Sequence, residues 1–147
     1  MIEPADLASL PTAEFAFPGP LRDKLVAAIL DGAKTATTGL VIEYERDGEP
    51  LPEPGTRSVV IDSEHHPVAV IEVTSVRIVP LAQVDLAHAQ DEGEGDATIQ
   101  DWRTSHETFW HSPEMHHVLG DPTFTVDDTT RVVLERFRLV EDLRAPR

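Results

Sequence analysis

The feature that most constrains the fold is a long run of β-branched residues late in the first half of the chain. From Pro67 to Val79 the side chains alternate between two faces, and a shorter run of the same kind extends from Ser58 to Asp62. Four polar residues join the two runs, so the pair predicts an antiparallel hairpin. Both faces of the longer run are largely apolar near Glu72, and we therefore expect this strand to be buried on both sides.

Segments with apolar residues at helical spacing precede and follow this hairpin. Leu21, Leu25 and Ile29 repeat at helical intervals between Pro20, which suits an opening turn, and Gly32, which suits a stop. Further helices are predicted at 81–90 and from an Asp96 cap to 110, a final strand at 130–140, and an Asp47-Gly48 turn between two strands. The sum predicts an α+β fold built as a compact β-barrel with about three flanking helices.

The chain length of 147 residues fits one domain. Three prolines precede Pro20, so residues 1–16 are predicted to form an extended lead-in rather than a helix. The domain itself is predicted at 17–140, followed by a C-terminal tail at 141–147.

The charge balance bears on the partners. The chain carries 27 acidic residues against 12 Lys plus Arg, a formal net charge of −15. Non-specific nucleic-acid affinity comes mainly from basic side chains that neutralise phosphates, so we expect no duplex DNA partner, and a small or locally held ligand is easier to accept. There is no basic leader and no apolar run long enough for a membrane span, so we expect no membrane partner. The absence of cysteine excludes thiol chemistry and fits a reducing cytosol, and we expect a cytoplasmic protein.

Lys34 is the first candidate site residue, because it is one of two lysines and follows a helix stop in a threonine-rich loop. A neutral amine there could act as a base toward the Thr37 hydroxyl, whereas a charged one could bind an anion. A solvated lysine after a helix end is the plain alternative. A phosphate-binding loop is excluded, because that motif needs glycines where this chain has Ala33 and Ala28.

Glu72 is the second candidate. A carboxylate inside an apolar strand must be paired or hydrogen-bonded to remain there. If Lys34 approaches Glu72, the two side chains could supply a base and an acid in one pocket. The alternative is an outward-facing glutamate on an edge strand.

Three segments together resemble a known family. Residues 32–37, Gly-Ala-Lys-Thr-Ala-Thr, resemble the G-x-K-x-x-T signature of ASCH domains, and Ile71-Glu72-Val73-Thr74 matches as well. The run at 92–96, followed by Trp102, Arg103 and His106, is similar to the longer bacterial branch of that family. The resemblance covers about residues 17–140, and it implies a PUA-like β-barrel with the lysine, threonine and glutamate around a cleft for RNA or nucleoside ligands.

The resemblance implies several activities. Some members hydrolyse N4-acylated cytidine nucleosides, others cleave single-stranded RNA, and others are non-catalytic RNA-binding modules, and the fold alone does not choose between them. The hydrolase reading places the catalytic threonine on Thr37, its activating lysine on Lys34 and the carboxylate on Glu72, and we include Thr35 among the substrate-binding residues. One departure is Gly39, where short amidohydrolase members carry an arginine. We expect a nucleoside or single-stranded RNA as the partner.

Trp102 and His106 lie four residues apart, on one face of a predicted helix. Such a pair could stack on a base and titrate near neutral pH, so both are candidate substrate-binding residues, with core packing as the alternative for Trp102. The histidine pairs at 65–66 and 116–117 lack metal-ligand spacing, and the acidic turn at 91–96 lacks the order of an EF-hand loop. We therefore expect no metal and no cofactor.

Overall fold

A computed structural model of the chain describes residues 4–144. In chain order its elements are α1 (Pro4–Ser9), β1 (Thr12–Ala13), α2 (Pro20–Asp31), β2 (Ala36–Leu40), α3 (Val41–Asp47), β3 (Arg57–Ile61), β4 (Pro67–Pro80), a 3-10 turn (Leu81–Gln83), α4 (Leu86–Asp91), α5 (Ile99–Trp110), α6 (Pro113–Leu119) and β5 (Arg131–Asp142). None of the helices in this range is both long and apolar enough to cross a membrane. Residues 1–3 of the predicted lead-in and 145–147 of the predicted tail lie outside the described part.

The five strands form one sheet in the order β1-β3-β4-β5-β2. β4 lies at its centre and pairs antiparallel with both β3 and β5, β2 pairs antiparallel with β5, and the two-residue β1 runs parallel to β3. The α+β class is confirmed, but the predicted closed barrel is not: within residues 4–144 no pairing joins the edge strands β1 and β2. Six α-helices accompany the sheet rather than about three.

The predicted hairpin is present as β3 and β4, and α2 ends at Gly32 as expected. The main differences lie where short helices replace other predictions. α1 and β1 occupy the segment that was predicted to be extended throughout, and α3 replaces a strand before Asp47. The Asp-Gly signal was read as a turn between strands, but Gly48 instead ends α3 in the left-handed conformation, at φ 65°.

Two further differences concern caps. α5 is capped by the Thr98 hydroxyl, which accepts from the Asp101 amide, rather than by Asp96. α6 was not predicted, although its signals are in the sequence: the Ser112 side chain caps the helix, Pro113 opens it, and a left-handed Gly120 ends it.

Two apolar clusters pack against the sheet. Leu134 and Phe137 of β5 fall on opposite faces, and each belongs to a different cluster. The first cluster holds Leu134 with the tryptophans of α5, and the second holds Phe137 with Phe15 and the buried side of α2. Residues of both clusters line the site described below.

The segment between β1 and α2 is fixed in place by Arg22, whose side chain is 1% exposed. Its guanidinium donates to the backbone carbonyls of Phe15 (3.2 Å), Ala16 (2.8 Å) and Asp62 (3.3 Å), and to the Glu14 carboxylate (3.2 Å). A buried cation with four acceptors is well compensated, so this segment forms a defined wall rather than a loose arm.

Candidate active site

A cavity of about 750 Å³ is lined by residues of both apolar clusters. Its wall is formed by the segment before α2, the first half of α2, the middle of β2, α3, the loop after α4, α5 and α6, with single residues of β3, β4 and β5. The apolar part includes Phe15 and Leu25 of one cluster and Trp110 and Met115 of the other. Lys34, Thr37, Glu92, Glu94 and His106 all line it.

Lys34 is 2% exposed although it follows a helix end. Gly32 ends α2 with a left-handed φ of 88°, and the Lys34 amide then donates to the Ala28 carbonyl at 3.0 Å. This turn directs the side chain inward. Its Nζ donates to the carbonyls of Ala36 (2.8 Å) and Glu92 (3.4 Å) and lies 3.7 Å from Glu94 Oε2, so three acceptors are within reach of its three protons.

The loop after α4 reaches Lys34 because of one glycine. Gly93 has a φ of 68°, and a Cβ there would lie 2.4 Å from the Ala33 carbonyl oxygen and 2.8 Å from the Lys34 amide nitrogen. Only glycine permits so close an approach in this backbone conformation. The Thr35 amide donates to the Asp91 carbonyl at 2.8 Å, and this bond fixes the loop beside the start of β2.

Glu92 is 1% exposed and is the centre of the polar network. Its Oε2 accepts from the Thr38 hydroxyl at 2.6 Å and lies 3.2 Å from His88 Nε2, while its Oε1 lies 2.9 Å from His106 Nε2. Burial opposes the charge, but the hydrogen bonds from His106 and His88, together with the charge of Lys34, hold the pKa of Glu92 well below its usual value. Glu92 is therefore a buried carboxylate.

His106 is the cation that compensates it. Its Nδ1 lies 2.9 Å from the Trp102 carbonyl, an acceptor, so Nδ1 carries a proton. A neutral ring would then turn the lone pair of Nε2 toward the Glu92 carboxylate, whereas an imidazolium donates to it. Burial disfavours the imidazolium, but the hydrogen bond and charge of Glu92 outweigh burial and raise the pKa of His106.

Glu94 is the second carboxyl group of the loop and has a different character. Burial raises its pKa to about 7, and the hydrogen bond to Glu92 adds to this, against the charges of Lys34 and His106. Burial also lowers the pKa of Lys34, and the nearby charges of Glu92, Glu94 and Glu135 offset this only in part. Burial therefore favours the neutral form of both partners, a combination suited to proton transfer.

Thr38, His88 and Glu92 do not form a nucleophile triad, although they are in contact. In a triad the acid and the hydroxyl bind different ring nitrogens of the histidine. Here His88 Nε2 meets both the Thr38 hydroxyl (2.9 Å) and Glu92, while the buried Nδ1 has no hydrogen-bond partner among the described residues. Because the Thr38 hydroxyl donates to Glu92, it accepts from His88, and its proton is already committed.

Of the residues predicted as catalytic, the structure brings Lys34 and Thr37 to one cavity but does not bring Glu72 to them. Glu72 does not line the cavity. Its Oε1 accepts from Arg57 Nε at 2.9 Å and its Oε2 from Arg138 Nε at 3.2 Å, and these hydrogen bonds lower the pKa of Glu72. Glu72 therefore bridges β3 and β5 across β4.

The predicted substrate-binding residues are placed differently from one another. His106 lines the cavity, whereas Trp102 is fully buried beneath it, with its ring stacked on His106 at a centroid distance of 4.2 Å. A fully buried ring has no face left for a base. Thr35 is exposed outside the cavity, and its hydroxyl donates to the Asp91 carbonyl at 3.4 Å.

Sequence reasoning missed Glu92, Glu94, Thr38 and His88. The two glutamates were noted only within the acidic turn at 91–96 and its run at 92–96 that resembles the longer bacterial branch, yet the spacing Glu-Gly-Glu-Gly in a helix-connecting loop was available as a signal of a tight backbone approach. Nothing in the local pattern marks His88, since its fully buried position depends on the packing of α4 against β2.

One group of side chains at the cavity, formed by Glu92, Glu94 and His106, could hold a metal ion. Ligand atoms of Glu92, Glu94 and His106 all lie within 4.8 Å of one another. However, a metal bound there would have to displace the hydrogen bond between His106 Nε2 and Glu92 Oε1, which is 2.9 Å long. The sequence expectation of no metal stays a prediction.

Comparisons with known proteins agree with this architecture. The chain is similar in structure to protein EF3133 from Enterococcus faecalis, with a TM-score of 0.77 and 26% identity over 88% of this chain and 76% of that one. It is also similar to the ASCH domain from Lactobacillus crispatus, with a TM-score of 0.74 and 27% identity over 95% of this chain and 86% of that one. No curated protein matches the chain.

A more distant likeness extends only to the fold. An ASCH protein from Zymomonas mobilis has a TM-score of 0.52 and 11% identity over 90% of this chain and 73% of that one. The sequence profile of the ASCH domain matches residues 14–141, which include every strand except β1 and the last residue of β5, together with the whole cavity loop. The chain therefore belongs to the ASCH domain family.

Proposed function

We propose that the cavity hydrolyses the amide of an acylated nucleoside, with an N4-acylated cytidine as the model substrate. The observation that carries the proposal is the pair formed by the buried Lys34 and the partly buried Glu94, 3.7 Å apart, in the wall of a cavity that Thr37 also lines. Within residues 4–144 the Thr37 hydroxyl has no hydrogen-bond partner, unlike that of Thr38, so it remains available to a ligand.

The proposed reaction begins with the Thr37 hydroxyl. Its oxygen attacks the acyl carbon, and its proton passes to the neutral amine of Lys34. The bond between the acyl carbon and the exocyclic nitrogen then breaks, and protonated Glu94 donates its proton to the leaving amine.

The second half of the reaction restores the enzyme. Water attacks the acyl-threonine and gives a proton to the Glu94 carboxylate, while the Lys34 ammonium returns its proton to the Thr37 oxygen. The products are a free carboxylic acid and the unacylated nucleoside, and both side chains end in the state in which they began.

The directions of the pKa shifts support these roles. A general acid needs a carboxyl group that is still protonated near neutral pH, and the pKa of Glu94 is raised to about 7. A general base needs a lysine with a lowered pKa, which burial provides for Lys34. We accordingly propose Glu94 for the carboxylate role that the sequence suggested for Glu72.

The substrate class is supported by the family resemblance, since the names of the similar structures state no substrate. Single-stranded RNA as a substrate, and RNA binding without catalysis, are the competing functions. Both would benefit from basic surface along a strand, and the net charge of −15 opposes them.

A direct test uses purified full-length protein with N4-acetylcytidine and with labelled single-stranded RNA. We expect release of cytidine by the wild type, and loss of that activity in Lys34→Met and Glu94→Gln. Glu72→Gln is the matched control, because it removes the same charge outside the cavity, and it should retain the activity. Cleavage of RNA without release of cytidine, or salt-sensitive RNA binding with no product, would reject the proposal.

A further inference from the structure

The cavity wall around Gly39 is strongly acidic. Six carboxyl groups other than that of Glu92 line the cavity on this side and along the loop after α4: Glu43, Asp47, Glu49, Glu94, Asp96 and Glu135. Glu43, Asp47 and Glu49 come from α3 and the residues after it, and Glu135 lies opposite Thr37 in the pairing of β5 with β2. Three separate segments therefore bring carboxyl groups to one space.

Glu94 lies 3.7 Å from Lys34 and 4.0 Å from His106, but within residues 4–144 none of the other five acids forms an ion pair with a cation of the same wall. Arg22 already uses its guanidinium on Glu14 and on three backbone carbonyls, and Lys34 has its three acceptors. His106 donates to Glu92, and Lys24, the remaining cation of the cavity lining, is exposed. No basic side chain in the described lining is thus both buried and free to pair with an anionic ligand.

Position 39 adds no cation to this wall, because it is a glycine. In this chain a Cβ at Gly39 would lie 3.7 Å from Tyr44 Cε2, an ordinary contact, so the position faces the Tyr44 ring and supplies no charge. Burial, together with the charges of Glu135, Glu43 and Glu49, raises the pKa of Tyr44, so the phenol lies among carboxyl groups rather than beside a cation.

We propose that this cavity selects nucleosides that carry no phosphate, and that Glu43 and Glu135 are the residues that exclude nucleotides and RNA strands. The identity of the nucleoside rests on the proposed function, whereas the exclusion of phosphate rests on the charges of the wall. A phosphate near these groups would meet like charges in a partly desolvated space, where repulsion is poorly screened.

The selection has a consequence for the order of reactions. If the site accepts only the nucleoside, a phosphomonoester hydrolysis must precede it and supply the substrate from a nucleotide. The site would then act on the products of RNA breakdown rather than on the intact polymer.

The test measures binding by calorimetry, with cytidine and cytidine 5′-monophosphate as the probes at pH 7.5 and low salt. We expect the wild type to bind cytidine about tenfold more tightly or better, because like charges weaken the binding of the phosphate. The double variant Glu43→Gln and Glu135→Gln should narrow this difference by strengthening the binding of the monophosphate. Added salt should also reduce the difference between the two affinities, because it screens the repulsion between like charges.

Glu45→Gln is the matched control, because Glu45 is exposed on α3 and does not line the cavity. It should leave the ratio of the two affinities unchanged. In the double variant, each substitution replaces a carboxyl group that has a pKa raised by burial. The neutral amide avoids the cost of desolvating a charge, so folding should be retained.

The outcomes separate the two proposals. Equal or tighter binding of the monophosphate, no binding of cytidine, or an unchanged ratio in the double variant would overturn the selection. If cytidine is preferred but N4-acetylcytidine is not hydrolysed, the selection stands and the proposed reaction fails.

Discussion

The hydroxyl of Thr38 donates to Glu92 Oε2 at 2.6 Å, and this hydrogen bond connects the edge strand β2 to the loop after α4, which carries Glu92 and Glu94. Thr37, its neighbour, has a hydroxyl with no partner among the described residues. Both threonines of β2 line the cavity, but the Thr38 hydroxyl binds a buried carboxylate, whereas the Thr37 hydroxyl is available to a ligand.

The first prediction compares Thr38→Val with Thr37→Val. Thr38→Val removes a donor to a buried charge and should lower the free energy of unfolding by roughly 1–3 kcal/mol. Thr37→Val should change it by no more than about 0.5 kcal/mol but should abolish the release of cytidine from N4-acetylcytidine. Urea unfolding and the hydrolysis assay measure the two effects.

The reverse pattern would contradict this assignment. If Thr38→Val retains full stability while Thr37→Val unfolds readily, the buried network does not depend on the Thr38 hydroxyl. If Thr37→Val remains active, the nucleophile is water or another group.

The second prediction concerns stability and pH. Glu94 has a folded-state pKa of about 7, above its ordinary value of 4.5, so the folded state holds its proton where the unfolded state has lost it. The stability that this group contributes is present below about pH 4.5 and is lost as the pH rises through 7. Glu94→Gln cannot ionise, so relative to the wild type it should gain stability between pH 5 and pH 8, by up to roughly 3 kcal/mol.

Urea titrations of both proteins at several pH values measure this difference. Glu72→Gln is the control, because the pKa of Glu72 is lowered by its two arginines and its contribution does not change in that window. Parallel pH dependences of the wild type and Glu94→Gln would show that Glu94 does not titrate near neutrality.

The third prediction is a bell-shaped pH dependence of kcat/KM for N4-acetylcytidine. The proposed acid, Glu94, must be protonated, so its ionisation limits activity on the alkaline side, and the proposed base, Lys34, must be neutral, so its protonation limits activity on the acid side. A flat pH profile would count against the pair. Glu94→Gln should remove the alkaline limb from whatever activity remains.

Much of the fold could be predicted because local signals and tertiary structure agree. The alternation from Pro67 to Val79 predicted a strand that is buried on both faces near Glu72, and Pro20 and Gly32 marked both ends of α2. Closure of the sheet could not be predicted in this way, since it depends on whether β1 and β2 meet, and neither strand encodes its distance from the other.

The site was predictable in part for the same reason. Lys34 and Thr37 share a short segment, so their proximity was local information. Glu92 and Glu94 reach Lys34 only through the packing of the loop after α4, which is 58 residues away in sequence. Glu72 was chosen because a carboxylate in an apolar strand needs a partner, but the partners turned out to be Arg57 and Arg138 on the adjacent strands.

The last prediction tests the close approach that assembles the site. Gly93 and Gly95 both have positive φ, 68° and 84°, but a Cβ at Gly93 would lie 2.4 Å from the Ala33 carbonyl oxygen, whereas a Cβ at Gly95 meets nothing within 4 Å. Gly95→Ala should therefore cost only the conformational strain, about 1–2 kcal/mol. Gly93→Ala adds a backbone clash, so it should be the more destabilising of the two and should displace Glu92 and Glu94 from Lys34. Urea unfolding and the hydrolysis assay on both variants check this, and equal effects in the two would show that the loop does not need to touch the end of α2.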